Sequence, residues 1–544
     1  MPPSTTFLKK TLLSLLGGAV LLYALAIWGE HRAKQWLEEK LAQSGVVRYR
    51  QMHLSLLAGN LSLDDVTIDW RWAEQGKRLH LISPKISVAG VSWRNLYFNQ
   101  KLKLSGVRLQ SPDMAMHDLP PPQAVTPAKP STKMEPPLDI LAIEVGSIVM
   151  ESGCAEIYKP AGKNKNKEKA IVQAVDMDMV LSGTHFDMQG DLMISARFGD
   201  VGIRLQDVAL DNENLSHRLH LQHFSLNKAD SLISLDGFSL TQHQPPNAFF
   251  QSLRFKEAWY EMTFPHITIR GWHFDDILSG RMRAAAIEVD SFGMHVRTNQ
   301  NLVPDPQGYK RLPQEMLRKI PIALVVDSLV VRQGRLRFEN LGVDKTEVGL
   351  LTFDPINASF RNVTNDSARI AQQKIMDVVA TGYLQGKHPM YNHLWFDLTS
   401  PDNAFSFEGN AGKIPFASLN SFITPCADAV FDEGTINKIS FRANADGTSA
   451  NGSLTMDYED LHFSLLDDER ERRKILSKVV DLLFVNEEND RSDEDFEKGV
   501  IHNLRKKNLS FFNYWWTSVQ SGIRTSLVKE ERLEKVKKIV GKDQ

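Results

Sequence analysis

After Ser44 the hydrophobic period of the chain shortens from 3.6 to 2 and stays there for most of its length, which predicts a body of β-strands. One eight-residue pattern recurs: apolar-x-apolar, two small or polar residues, apolar-x-apolar. It reads LSLDDVTI from Leu61, ISVAGVSW from Ile86, LKLSGVRL from Leu102, IEVGSIVM from Ile143, IRLQDVAL from Ile203, LHLQHFSL from Leu219, ISLDGFSL from Ile233, IEVDSFGM from Ile287 and LVVDSLVV from Leu324, nine copies in all. A tight hairpin turn at pairs such as Asp236-Gly237 or Ser105-Gly106 would absorb the phase slip and put all four apolar positions on one face. A β-bulge would do the same within one bent strand. The bulge is expected where a separate turn signal follows, as at Glu151-Ser152-Gly153 after Met150 and Arg332-Gln333-Gly334 after Val331. These two stretches align without a gap at an offset of 181, Ser147 on Ser328 and Gly153 on Gly334, which reads as an internal duplication. The period is compatible with an ordinary β-sandwich and with a long antiparallel sheet whose apolar face curves into a groove.

The helical signals sit at the ends. Lys9 and Lys10 precede an uncharged run from Thr11 to Gly29, long enough at about 1.5 Å per residue to cross a membrane, with Tyr23 and Trp28 at its far end. The lysines keep the N-terminus cytoplasmic and send the rest across. Ala24-Leu25-Ala26 has the form of a cleavage site, so a signal peptide competes with the uncleaved anchor. Residues 30–44 predict an amphipathic helix with Trp36, Leu37 and Leu41 on one side, and residues 469–485 another with Ile475, Val479, Leu482 and Leu483 on one face. The last helix is expected from Leu509 to Val540, with Phe511, Phe512, Tyr514, Trp515 and Trp516 at its start. Its stripe is Phe512, Trp516, Val519, Ile523 and Leu527, expected to plug the end of the sheet or, with its basic flanks, to lie on a membrane. Breaks in the pattern suggest an anchor at 1–29, a first β unit with its leading helix at 30–117, a Pro-rich linker at 118–137, a second β unit at 138–300, a third duplicating it at 314–468, and C-terminal helices with an acidic, disordered insertion (Asn486–Glu497) at 469–544. Residues 159–169 read as a solvated basic hairpin tip.

Composition changes this picture little. The 544 residues carry 64 Lys+Arg against 66 Asp+Glu, a balance that argues against a general nucleic-acid binder. Two cysteines, Cys154 and Cys426, exclude a disulfide scaffold and a four-cysteine zinc site. There is no HExxH and no GxSxG. His217, His220 and His223 come closest to a metal cluster, with no acidic or cysteine ligand beside them. Gly409 to Lys413 looks like a phosphate loop, but Ile414 and Pro415 follow where a hydroxyl residue is needed. The pairs Asp275-Asp276 and Asp467-Asp468 sit at apparent turns, not in acid–base geometry. No catalytic, metal-ligating or cofactor-binding residue is expected, and so no enzyme.

The segment from Phe405 to Leu466 has a strand with Glu408-Gly409, a Leu419-Asn420 segment, a Gly-x-Ile strand at Gly434 to Ile436 and a Tyr-x-Asp-Leu strand at Tyr458 to Leu461. With the anchor and the aromatic tail at Phe511 to Trp516, this resembles the AsmA-like envelope proteins, part of the wider group of repeating β-groove, bridge-like lipid-transfer proteins. The resemblance implies a mainly β, taco-like curved sheet, held by a single N-terminal helix in the inner membrane and projecting into the periplasm. It also implies a role in phospholipid transfer or outer-membrane homeostasis. The implied partners are phospholipid or another acyl-chain lipid, the inner membrane, and membrane partner proteins, with no cofactor. The contrasting expectation is an anchored periplasmic scaffold or assembly factor whose closed sandwich holds no lipid path.

Overall fold

The computed structural model describes residues 29–39, 41–43, 45–72, 77–118, 141–158, 170–189, 192–210, 217–278, 280–466, 486–494 and 496–527. The apolar run before residue 29, the Pro-rich linker after residue 118, the basic tip at 159–169, the helix expected at 469–485 with Asp467-Asp468, and the tail after 527 lie outside them. Among the described residues no helix is long and apolar enough to cross a membrane. The protein is mainly β, with 22 described strands. The chain divides into two compact units, residues 1–215 with 219–235, and residues 216–218 with 236–544.

In the first unit the short strands β1 (Val47–Arg48) and β2 (Gln51–Ser55) both pair with β3 (Asn60–Trp72), which pairs with β4 (Lys77–Ala89). The leading helix α1 (29–39 and 41–43) lays Leu37 and Leu41 on Met52, Leu63 and Val66, while Trp36 stays exposed. After β4 come α2 (Trp93–Asn99) and two end-to-end strands, β5 (Lys101–Gln110) and β6 (Asp113–Asp118), antiparallel to β4. Both run parallel to β7 (Ala142–Tyr158). Antiparallel pairing then resumes through β8 (Ala170–Gln189) to β9 (Leu192–Arg197) and β10 (Asp200–Leu210), and from β10 to β11 (His217–Asn227).

The second unit takes up the later part of β12 (Leu232–Gln242) and, after α3 (Pro246–Ser252), continues with β13 (Trp259–Arg270), α4 (Phe274–Leu278) and β14 (Arg281–Asn299). Strand β14 is parallel to β15 (Ala323–Leu341), and α5 (Pro313–Lys319) lies in the connection between them. The rest is antiparallel: β16 (Val348–Thr364), α6 (Ser367–Gln372), β17 (Ile375–Leu384), β18 (His388–Asp397), β19 (Phe405–Pro415), α7 (Asn420–Ala427), β20 (Ala429–Ala445), β21 (Ser449–Leu465) and β22 (Lys498–Leu504), closed by α8 (Phe511–Leu527).

The expectation of a purely antiparallel sheet is therefore corrected to a mixed one. Parallel neighbours require a long return connection of a dozen residues or more. The chain between Asp118 and Ala142, which includes the Pro-rich linker, makes that return in the first unit, and the chain between Asn299 and Ala323 makes it in the second. The duplication is also wider than the aligned stretch. The order β4, α2, β5 with β6, β7, β8 recurs as β13, α4, β14, β15, β16. Gly90 after β4 and Gly271 after β13, again 181 apart, both take a φ of 65°.

Eight of the nine pattern copies lie inside single strands, and the copy at Ile86 instead ends β4 at Ala89 before α2 begins. Strand β12 runs straight through Asp236 and Gly237, so the pair is no hairpin turn. The turn signals after Met150 and Val331 are not turns either. Each is a further bulge in a continuous strand, with Ser152 at φ 49° and Gln333 at φ 51°. A side chain across the ladder holds each bulge: Ser152 N–H donates to Asp178 Oδ1 at 3.0 Å and Gln333 N–H to Asn357 Oδ1 at 3.1 Å. The part of the acidic segment that is described, 486–494 and 496–497, is built into the unit. Asn489 is buried, and its amide donates to Met456 O at 2.8 Å and Glu497 O at 3.0 Å.

Candidate functional site

Residues directly opposed across a sheet share a face, so the register shows what each face carries. In the first unit one row runs Leu63, Ile86, Leu109, Met150, Met179, Ile203 and Leu226 through seven strands. A second runs Leu61, Val88, Val107, Ile148, Leu181 and Val201, and a third Trp70, Leu79, Met116, Ile157, Val172, Leu210 and Leu219. The central slips keep these rows aligned because neighbouring strands slip together: Leu104, Val145 and Thr184 are opposed before the slip and Val107, Ile148 and Leu181 after it. In the second row Val201 is buried, whereas the other five are only half-buried.

The second unit carries a comparable row, Ile269, Ile287, Leu329, Phe360, Val378, Leu394, Phe407 and Ala443. Its burial changes along its length. Ile269, Ile287, Leu329 and Phe360 are half-buried, whereas Phe407 is fully buried and Ala443 is 2% exposed. Phe238, Phe264 and Phe292 stack across the same strands at 5.7 and 6.3 Å, and the Phe292 ring fills the space a side chain on Gly334 would need. At the far end Phe396, Phe405, Phe407, Leu454 and Met456 form a dry core with Tyr514 and Val519 of α8.

Helix α8 docks by its small residues. Tyr514, Ser518, Val519, Gly522 and Ser526 are buried, and a Cβ on Gly499 would meet Gly522 O at 2.1 Å. The expected stripe is half right: Val519, Ile523 and Leu527 pack inward, while Phe512 is 73% and Trp516 48% exposed. The polar side of α8 replaces a further strand along the edge of β22. Val500 N–H donates to Thr525 Oγ1 at 2.7 Å, His502 N–H to Ser521 Oγ at 3.2 Å, and Asn503 Nδ2 to Thr517 Oγ1 at 2.8 Å. Edge strands left open invite pairing with other chains.

Polar clusters border the apolar faces. In the first unit a cleft of about 560 Å³ is lined by Asn95 of α2, Lys103, Glu144, Gly183 and His185 among others; Lys103 Nζ lies 3.4 Å from Glu144 and His185 Nε2 2.9 Å from Asp187. At the position equivalent to Asn95, 181 residues on, the second unit has Asp276 of α4, gripped by Arg283 at 2.6 and 2.9 Å. Those hydrogen bonds, then Arg283's charge, hold the Asp276 carboxyl below its usual range against its own burial. The Asp275-Asp276 pair is thus split between solvent and an ion pair. Glu339 is buried beside Arg337 (2.6 Å), His295 (3.4 Å) and Arg297 (3.8 Å). Its burial pushes its pKa up, and the Arg337 hydrogen bond with the His295 and Arg337 charges outweighs this and holds it low.

One cluster has the connectivity of a hydrolytic triad: Asp236 Oδ1 meets His266 Nδ1, and His266 Nε2 lies 2.8 Å from Thr268 Oγ1. Thr268 is only 6% exposed, whereas the Asp236 and His266 side chains are 44% and 40% exposed. The histidines flagged in the sequence are dispersed. His217 is buried against Tyr260, bonding its carbonyl at 3.1 Å, and burial lowers its pKa; His220 lies 3.8 Å from Asp207, and His223 is exposed. Among the described residues no His/Cys/Asp/Glu group is arranged to hold a metal. Gly409 to Lys413 belongs to β19 and forms no loop. Cys154 and Cys426 are free thiols.

In the segment that carries the family resemblance, α7 packs against β15, β16 and β20. Asn420 receives Phe431 N–H at 2.8 Å and donates to Phe431 O at 2.9 Å, Gly434 takes φ 102° in β20, and Tyr458 is fully buried in β21 with its hydroxyl on Asn486 O at 3.1 Å. No family model and no curated protein matches the chain.

Proposed function

We propose that the protein is an inner-membrane-anchored periplasmic component of AsmA-like type that moves phospholipid, or keeps the outer membrane supplied with it, along its apolar sheet faces. The observation that carries this reading is the set of apolar rows crossing seven strands of the first unit, several members of which keep part of their surface exposed. Covering such surface with acyl chains gains about 0.8 kcal/mol per CH₂ taken from water, with no site for an energy source needed. The charged groups on intervening positions would meet lipid headgroups and water. The dry core beneath α8 ends the path in the second unit, because Phe407, Leu454 and Met456 leave no surface for a chain. The anchor and the compartment rest on the sequence before residue 29. We assign the protein no chemistry of its own.

Site-specific photocrosslinking in growing cells labelled with ³²P-phosphate tests this. A benzoylphenylalanine at Leu181 or Ile148 is expected to capture labelled phospholipid, and one at the exposed Arg204 to capture little. Equal labelling at all three, or none at the apolar positions, would leave the closed scaffold as the better description.

A further inference from the structure

We infer that the end of the second unit where β22 meets α8 is a docking surface for an anionic phospholipid bilayer, separate from the anchor. Leu504, Phe512, Trp516 and Tyr309 are 69%, 73%, 48% and 49% exposed there. A monomeric soluble surface seldom leaves two aromatic rings of one helix face in water, and Phe512 and Trp516, four residues apart, share a face of α8. That face is free because the opposite one is committed to β21 and β22 through Tyr514, Ser518, Val519 and Gly522.

Basic groups ring the same spot. Lys506 and Lys507 are exposed between β22 and α8, as is Arg311. Backbone contacts bring the 305–311 segment to them: Lys310 N–H donates to Lys507 O at 2.8 Å, and Asn508 Nδ2 to Asp305 O at 2.9 Å. The Arg505 guanidinium, buried beneath, sits 5.5 Å from the Tyr309 ring and donates to Lys310 O, fixing the two segments together. Two carboxylates are paired within this segment: Glu257 holds Lys310 at 2.6 Å and Glu315 accepts from the Tyr309 hydroxyl at 2.6 Å. Amphipathic rings beside cations are the chemistry that settles at the headgroup level of an anionic bilayer, the rings in the acyl boundary and the lysines at the phosphates. This goes beyond the proposed function and does not need it: a scaffold could dock the same way.

The test uses the full chain held by its anchor in nanodiscs of neutral lipid, mixed with free vesicles of neutral lipid or of neutral lipid with about a third phosphatidylglycerol. The wild type is expected to float with the anionic vesicles only, with the association lost at high salt. F512A/W516A and K506E/K507E are each expected to reduce flotation at least tenfold while the melting temperature stays within a degree or two, since all four side chains point to solvent. Bromolipid quenching of tryptophan emission should appear with anionic vesicles and vanish in Trp516→Phe. Flotation unaffected by either double variant, equal binding to neutral vesicles, or no binding at all would overturn the proposal; a protein ligand captured at this face without lipid would do so as well. None of these outcomes bears on photocrosslinking at Leu181, so docking and lipid path fail separately.

Discussion

At the scale of single residues, what shapes this protein is backbone conformation in mid-strand. Ser152 and Gln333 hold left-handed φ values that L-residues adopt reluctantly, and each is rewarded by a side-chain acceptor for its amide. Replacing Asn357 by Ala removes that acceptor from an exposed site and is expected to cost about 0.5–1.5 kcal/mol in urea unfolding. Gly334, next in the bulge, has no room for a side chain, because its Cβ would overlap the Phe292 ring. Gly334→Ala should therefore destabilise by about 1–3 kcal/mol, with a changed near-ultraviolet signal as the Phe ladder shifts. The matching Gly153 meets its nearest neighbour at 3.0 Å, so Gly153→Ala should cost less. These residues were legible as signals but not as structures: Ser-Gly and Gln-Gly are as suited to a turn as to a bulge, and only the ladder on both sides decides. Glu339 was not legible, since His295 joins it and its strand neighbour Arg337 only through the parallel pairing of β14 and β15. Because its folded pKa is depressed, Glu339 contributes stability above the ordinary carboxylate range, and that contribution is lost as pH falls through the depressed value. Glu339→Gln should flatten this acid-side loss in melting curves taken between neutral pH and pH ~3.

At the scale of elements, α8 shows how a correct helix can be given the wrong face. Its period follows from the stripe of large residues, but a helix lying against an edge strand must come close, and closeness selects Gly, Ser and Thr. Large aromatics at Phe512 and Trp516 are then pushed outward. Gly522→Val would drive a side chain into Leu454 Cβ, 2.9 Å away, and lift the helix. The expected result is faster hydrogen exchange at the Val500 and His502 amides, which lose Thr525 and Ser521, together with concentration-dependent association through the bared edge of β22. Thr525→Val, which keeps the packing and removes one acceptor, should accelerate exchange at Val500 alone. Exchange left unchanged by both would mean that the edge is protected by something other than this helix.

At the scale of the whole molecule, the strand content was readable because period 2 persists, and the duplication because Ser147 and Gly153 match Ser328 and Gly334. The parallel pairs were not readable: a Pro-rich segment looks the same whether it separates domains or carries the chain back to start a parallel strand. Nor does period 2 reveal whether an apolar face is sealed, since a sandwich and an open face share one alternation. Ile148 and Leu181, opposed on β7 and β8 and both half-buried, are where the two can be told apart by experiment. In a sealed interior a carboxylate at either position would be an unpaired buried charge costing several kcal/mol. On a face that keeps contact with water the carboxylate stays hydrated, and the loss is mainly that of the leucine's packing. Leu181→Glu is therefore expected to lower the melting temperature by only a few degrees, about 1 kcal/mol or less, and Leu454→Glu in the dry core to prevent folding. Thermal unfolding of the two variants side by side decides it. If Leu181→Glu is as damaging as Leu454→Glu, the face of the first unit is closed and no acyl chain runs along it. If it is tolerated, the same variant should also lose phospholipid capture at Ile148, because a charge in mid-row interrupts the apolar row that passes there.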